Sequence, residues 1–316
     1  MARLPALAGM AAATAAAVAA VAAPATALAD DASTHSVNGH DVSWPQCSTS
    51  LPGVGGLGIV GVNDGRAWSA NPCLSAEYRW AARAPRTPDV YLNTANPAPQ
   101  SSYYWPASGA RDPVLCVDAT STSDPGCAYD YGWHTAAAAY AATGRTLGSR
   151  SPISYWWLDV ETMNTWNGDV WSNAADIQGS IDYLMSQGVA GVGVYSTEEQ
   201  WDIVTGGYTS SSASQYVAHW APEFTSTTGI ATSPSWVAGA SGPVDAQAAC
   251  SGSFLGTTTW LVQYVVRNHD VDHLCGVSAS APSGATPAPA ITAPASEPAP
   301  PAVPVWTVRG GAIESQ

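Results

Sequence analysis

Tyr155-Trp156-Trp157-Leu158-Asp159-Val160-Glu161 is an apolar, aromatic run that ends in two acids. As a β-strand it sends successive side chains to opposite faces. Leu158 and Val160 then share one face, suited to packing under helices, while Asp159 and Glu161 share the other. Downstream, residues 173–187 carry Ala174, Ile177, Ile181, Leu184 and Met185 at helical spacings, and Gly188 stops the pattern. Further β-rich runs lie at 39–43, 57–62, 89–94, 189–196, 235–240 and 258–265. Helical intervals fall at 73–83, 129–143 and 198–204. Strand–helix alternation over this length predicts a parallel α/β fold, open or closed. Past Tyr195, a Gly/Ser/Thr-rich stretch at 206–233 precedes the last strands, with little room for helices. The expectation is a barrel that is regular early and irregular late.

The whole chain has 316 residues and a formal net charge of −14, from 10 basic residues, all arginine, and 24 acidic ones. An acidic chain without a basic run is unsuited to gripping nucleic-acid phosphates or an anionic membrane, so neither is an expected partner. Hydrophobic residues make up 46%, too many for a wholly disordered chain. About 250 residues can carry one large core. There are 14 Trp and 13 Tyr against 2 Phe. Rings with a flat apolar face and a polar tip suit sugar surfaces as well as a packed interior.

Residues 1–29 read as a secretory signal peptide: Arg3, an Ala/Val-rich apolar stretch, then Ala27-Leu28-Ala29 as a small-x-small cleavage site. An uncleaved anchor is the alternative, since the apolar stretch is borderline in length. Residues 30–278 form the expected barrel domain, and residues 279–316 a disordered Pro/Ala-rich tail or spacer. Cys47, Cys73, Cys116, Cys127, Cys250 and Cys275 are an even set in an exported chain, which reads as three disulfides. Six cysteines leave 15 pairings open; nearest-neighbour pairing, 47–73, 116–127 and 250–275, is the expectation.

Two carboxylates side by side at the C-terminal end of a strand are costly unless water, partners or function explains them. In a parallel barrel that end is where active sites lie. Close like charges raise one pKa, so one carboxyl keeps its proton beside an ionised neighbour. Glycoside hydrolysis uses such a pair, an acid for the leaving oxygen and a carboxylate for the sugar carbon. The plainer alternative is a strand-end pair that caps the following helix. Other strand ends carry similar groups. Asp41 lies in His40-Asp41-Val42-Ser43-Trp44, and Tyr195 closes Gly191-Val192-Gly193-Val194-Tyr195-Ser196. There Val192 and Val194 face the helices, and the inward glycines are expected to leave an open pocket beside Tyr195. Gln263-Tyr264 ends a later strand, and Asp270-Val271-Asp272 follows within ten residues.

These blocks resemble the glycoside hydrolase family 25 lysozymes, the N-acetylmuramidases, and more closely a secreted actinobacterial branch of glycoside-hydrolase-like barrels. Asp41-Val42-Ser43 is similar to the family's opening Asp-Val-Ser, and Leu158-Asp159-Val160-Glu161 to its Asp-x-Glu strand. Gly193-Val194-Tyr195-Ser196 looks like its fifth strand and Trp236-Val237-Ala238 like its sixth. Gln263-Tyr264 and Val271-Asp272 look like its closing strands. The resemblance covers roughly residues 39–275 and implies an α/β, irregular TIM-like (β/α)5β3 barrel, here disulfide-stabilised. It makes Glu161 the general acid. Asp159 would stabilise the positively charged intermediate or orient the substrate N-acetyl group as internal nucleophile. Asp41 and Asp272 would complete an acidic floor, with Asp270 competing for the last place. Tyr195, Trp236, Gln263 and Asp270 would contact the sugar.

The substrate so implied is the β-1,4 link between N-acetylmuramic acid and N-acetylglucosamine in peptidoglycan, cleaved without metal or organic cofactor. The expected protein is a monomer, secreted or cell-wall associated, whose partner is peptidoglycan or another cell-wall glycan. Departures from the family pattern reshape the cleft rim. Trp44-Pro45-Gln46-Cys47 follows the opening motif, Tyr91-Leu92-Asn93-Thr94-Ala95-Asn96-Pro97 ends the third strand, and 116–127 and 206–233 read as insertions. Two alternatives stay open: a non-catalytic glycan-binding barrel that kept the acids, and a glycosidase acting on another polysaccharide.

Weaker motifs add little. His269 and His273 flank two aspartates, at a spacing that fits neither HExxH nor a calcium loop. His134 reads as an ordinary helix residue. Gly53-Val54-Gly55-Gly56 precedes a strand instead of following one, which removes a dinucleotide reading.

Overall fold

The computed structural model describes residues 38–99, 101–220 and 229–276. The expected signal peptide and tail lie outside the described residues. Eight strands close into one barrel in sequence order. They are β1 (Asn38–Val42), β2 (Gly58–Gly61), β3 (Asp89–Asn93), β4 (Tyr155–Asp159), β5 (Gly191–Ser196), β6 (Ser235–Ala240), β7 (Thr259–Val266) and β8 (His269–Leu274). Neighbours from β1 to β7 are parallel, and β8 runs antiparallel to both β7 and β1.

Among the described residues, helices follow β2 to β6. They are α1 (Leu74–Ala81), α2 (Pro125–Leu147), α3 (Val170–Ser186), α4 (Glu198–Thr205) with the short α5 (Ala213–Val217), and α6 (Pro243–Ala249). β1 leads instead into a 3-10 turn at Trp44–Gln46. β7 turns straight into β8 through Arg267-Asn268, both with positive φ (50° and 64°), the geometry that matches the twist of a tight hairpin. Five β/α units and three further strands result. No helix among the described residues is long and apolar enough to cross a membrane.

Helix ends follow local chemistry. α2 begins earlier than the apolar period suggests, because Asp124 caps it: its carboxylate accepts the Cys127 N–H at 2.9 Å, with Pro125 in the first turn. Asp169 caps α3 in the same way through the Ser172 N–H at 2.8 Å. α5 and α6 occupy a region expected to hold little helix. They are only 5 and 7 residues long, and buried side chains such as Tyr216 and Ala246 select them against weak propensity.

The core has two shells. Outward strand residues such as Val60, Val90, Trp156 and Leu158 pack with Ile177 and Leu184 of α3. Inward residues Ile59, Trp157, Trp236 and Leu261 fill the barrel with Tyr91 and Tyr155 around them. Alternation along each strand produces the split. In register, Gly191 lies beside Tyr155 and Gly193 beside Trp157, and a Cβ at either glycine would run into the neighbouring ring. Small residues on β5 thus admit large ones on β4. This corrects the expected origin of an open pocket beside Tyr195: the glycines do not supply it, because Tyr155 and Trp157 fill the room they leave.

The six cysteines pair in sequence order: Cys47–Cys73, Cys116–Cys127 and Cys250–Cys275. The bridges tie the turn after β1 to the start of α1, the β3–α2 connection to the first turn of α2, and the end of α6 to the end of β8. Each closes a short loop and so limits the freedom of the unfolded chain.

Buried acids give the fold a pH dependence. Asp89, at the base of the barrel, accepts the Trp157 indole N–H at 3.1 Å, and burial pushes its carboxyl up to about 7. Asp130 in α2 accepts the Val114 N–H at 3.0 Å and is pushed to about 7 by the same cause. A carboxyl raised on folding binds more protons folded than unfolded. Its contribution is therefore complete at low pH and is lost as pH rises from about 4 through about 7. The thermal midpoint should be higher near pH 5 than near pH 8. A midpoint that rises over that interval would contradict this account of the buried acids.

Candidate active site

A cavity of about 180 Å³ sits at the end of the barrel where the parallel strands finish. Its acids are Asp41 from β1, Asp159 and Glu161 from the end of β4, and Asp270 from β8. Tyr91, Tyr195, Trp236 and Gln263, from β3, β5, β6 and β7, complete the wall. Seven of the eight residues singled out by sequence thus line one cavity; Asp272, wholly buried, does not. β8 explains its place. Because that strand runs opposite to the others, the earlier residue, Asp270, lies nearer the mouth, while Asp272 pairs in register with Gly39 and Gln263 further in.

Glu161 lies just past the strand. The β4 ladder ends at Asp159, although the Val160 N–H still donates to the Tyr195 carbonyl at 3.0 Å. The Glu161 carbonyl accepts the Asn164 N–H at 3.0 Å and the Trp166 indole N–H at 2.8 Å. These bonds hold the turn that carries the carboxylate. Val160 is buried outward, so the alternation that sends Asp159 inward continues to Glu161.

A directed chain of hydrogen bonds crosses the cavity. The Tyr195 hydroxyl donates to Gln263 Oε1 at 2.8 Å, and Gln263 Nε2 donates to Asp41 Oδ2 at 2.8 Å. On the other side, Asn93 Nδ2 donates to Asp159 Oδ2. Thr94 Oγ1 and Asn164 Nδ2 donate to the Asp159 backbone carbonyl at 2.7 and 3.1 Å. Below, Trp236 meets Tyr195 edge-on at 4.6 Å and Trp157 at 5.7 Å, forming an aromatic floor.

Every acid here is raised. Burial, and then the Asp270 charge, pushes Asp41 up to about 7, with Gln263 pulling the other way. Burial, followed by the charges of Asp41 and Asp270, holds Asp272 well above the carboxylate range. Burial raises Asp270, and His269 opposes it. Asp159 lies well above its ordinary value through burial and then the Glu161 charge. Glu161 is raised mainly by burial, with Gln200 and Asp159 supporting its ionised form. Asp159 is enclosed and Glu161 only partly so, so loss of hydration weighs more on Asp159.

Three contributors went unassigned at the sequence level. Tyr91 and Asn93 alternate with buried Val90 and Leu92, and that period of two marks them as inward-facing. Gln200 stands in α4, four residues from any strand end, and nothing local marks it. Among the described residues, one group has metal-ligand proximity: Cys47, Cys73 and Glu77. Its two sulfurs are joined as a disulfide, so they are not available as thiolates.

Residues 135–230, which include β4 and β5, match the family model described as lysozyme-like protein 1. A 56-residue segment is 45% identical to probable GH family 25 lysozyme 4 of Dictyostelium discoideum, covering 18% of this chain and only 25% of that relative's length. Among solved structures, a muramidase from Trichobolus zukalii is 16% identical with a TM-score of 0.46, over 76% of this chain and 94% of that one. A family GH25 lysozyme from Aspergillus fumigatus is 13% identical with a TM-score of 0.45, over 77% and 95%. The bacterial lysozyme of Streptomyces coelicolor is 18% identical with a TM-score of 0.41, over 78% and 94%. The likeness to family 25 lysozymes thus extends from the short sequence blocks to a lysozyme-like family model and a family 25 relative.

Proposed function

We propose that this protein is a secreted glycoside hydrolase of the family 25 type, in its actinobacterial branch, that cleaves the β-1,4 link between N-acetylmuramic acid and N-acetylglucosamine in peptidoglycan. The observation that carries the reading is the Asp159–Glu161 pair, two residues apart at the end of β4 and both lining the same aromatic-floored cavity. A sugar seated there covers Glu161 and removes it from water, which raises its pKa further. The proton held by the pair then moves towards Glu161, the member nearer the mouth, and Asp159 ionises. Glu161 protonates the departing glycosidic oxygen. Asp159, oriented by Asn93, places its new charge beside the positive sugar centre or the substrate N-acetyl group.

The remaining groups position the ring. Tyr195 and Gln263 offer a hydroxyl and an amide in a fixed chain that ends on Asp41. Asp270 faces the same space, and Asp272 keeps the floor neutral while it holds its proton. These steps use carboxyls and amides of this chain and call on no metal or organic cofactor. We take the active form to be a monomer acting outside the membrane, on or near the wall. Release of reducing ends from purified walls by the wild-type protein is the test. Tight wall binding with no reducing ends would instead support a glycan-binding barrel.

A further inference from the structure

A second and larger cavity, about 460 Å³, lies on the same end of the barrel, within the size range of small-molecule sites. Its walls come from residues that follow β2, β3 and β4: 65–68, 101–104 and 163–165 among them. Two of its wall residues, Thr94 and Asn164, are the ones that donate to the Asp159 carbonyl. The cavity is therefore bonded directly to the strand end that carries the acid pair.

Among the described residues, the exposed aromatic side chains are Trp44, Tyr103 and Tyr104 (45%, 88% and 45%). Tyr103 and Tyr104 line this cavity. Trp44 adjoins it at Gly65, whose φ is +82° and where a Cβ would come within 2.9 Å of the indole nitrogen. Tyr104 stacks flat on Trp68 at 4.0 Å, and Tyr103 stands edge-on to Tyr104 at 5.5 Å. Trp68 itself holds a left-handed backbone, φ 64°, a conformation that costs a side-chain-bearing residue free energy and persists where surroundings enforce it. The cation at the rim, Arg66, already faces Asp64 at 3.5 Å. Flat rings with hydroxyls from Ser101, Ser102 and Thr165 are left. That chemistry suits the C–H face and hydroxyls of an uncharged sugar ring better than an anionic peptide.

We infer that this cavity is a second glycan subsite, which holds an uncharged 2-acetamido pyranose ring of the strand whose scissile bond lies over Asp159 and Glu161. The identity of the sugar rests on the muramidase reading; the stacking surface does not. The test is calorimetric binding of peptide-free wall glycan strands, in a Glu161→Gln background so that the strands stay intact. Tyr103→Ala and Tyr104→Ala should each weaken binding by about three- to tenfold with the thermal midpoint unchanged. The exposed Tyr103 keeps the result independent of folding. Unchanged affinity in both variants would overturn the inference, as would no measurable binding by the parent. A loss confined to strands that still bear peptide stems would also overturn it, and would assign the cavity to peptide. Failure of the hydrolase reading is separate: the wild type would release no reducing ends, while the tyrosine variants would still bind strands more weakly.

Discussion

Glu161→Gln is expected to lower the initial rate of wall hydrolysis by about 10²–10⁴, the range for loss of a positioned general acid, with little loss of wall binding. Glutamine keeps the length and the hydrogen-bonding shape of glutamate, so the turn held by Asn164 and Trp166 should persist. On the proposed mechanism, what disappears is the proton delivered to the leaving oxygen. The wild-type rate should also carry a pH signature. Both members of the Asp159–Glu161 pair are raised, and the proposed reaction needs one proton between them. Activity should therefore fall as pH rises through the upper step of the pair, and the residual rate of Glu161→Gln should lack that step. Initial rates across pH, with a pull-down on insoluble peptidoglycan, check both points. A variant that hydrolyses walls at the wild-type rate would remove Glu161 from the chemistry.

Asp159→Asn should separate activity from stability. Burial and the neighbouring charges work against the ionised form of Asp159, so the folded protein carries a group it would prefer neutral. Asparagine has nearly the same shape, and its carbonyl can still accept from Asn93. It never charges. The thermal midpoint should therefore be equal or higher than wild type, with the gain larger near pH 8 than near pH 5, following the sign of a raised carboxyl. On the proposed mechanism hydrolysis should fall by about 10²–10³, because a preorganised charge at the developing cation is lost. Midpoints and rates measured on the same samples at both pH values are the check. A clear drop in midpoint would show that the carboxyl is needed for the fold.

Side-chain parity was legible in the local sequence. A period of two in residues 155–161 placed both acids on one face, and the same period placed Tyr195 inward and Val192 and Val194 outward. The curvature of a strand does not alter that parity, so it holds wherever the strand goes. The start of α2 was legible too, in Asp124-Pro125, but the apolar period drew attention to a later residue. Short helices in Ser/Thr-rich sequence were not legible, since tertiary burial of one or two side chains outweighs their propensity.

The sequence by itself determined which residue types stand at the strand ends, and on which face, because side-chain parity is a property of neighbours in the chain. Only the tertiary structure decided how deep each one lies and what it touches. The bond from Gln263 to Asp41 joins residues 222 positions apart. The reversal of β8 sets Asp270 at the mouth and Asp272 beneath it. Large rings on β4 fill the room left by the glycines of β5. The deeper burial of Asp159 than of Glu161, and the aromatic cavity beside them, come from the same source. Hydration and packing depend on everything within a few ångströms, and most of those neighbours are remote in sequence.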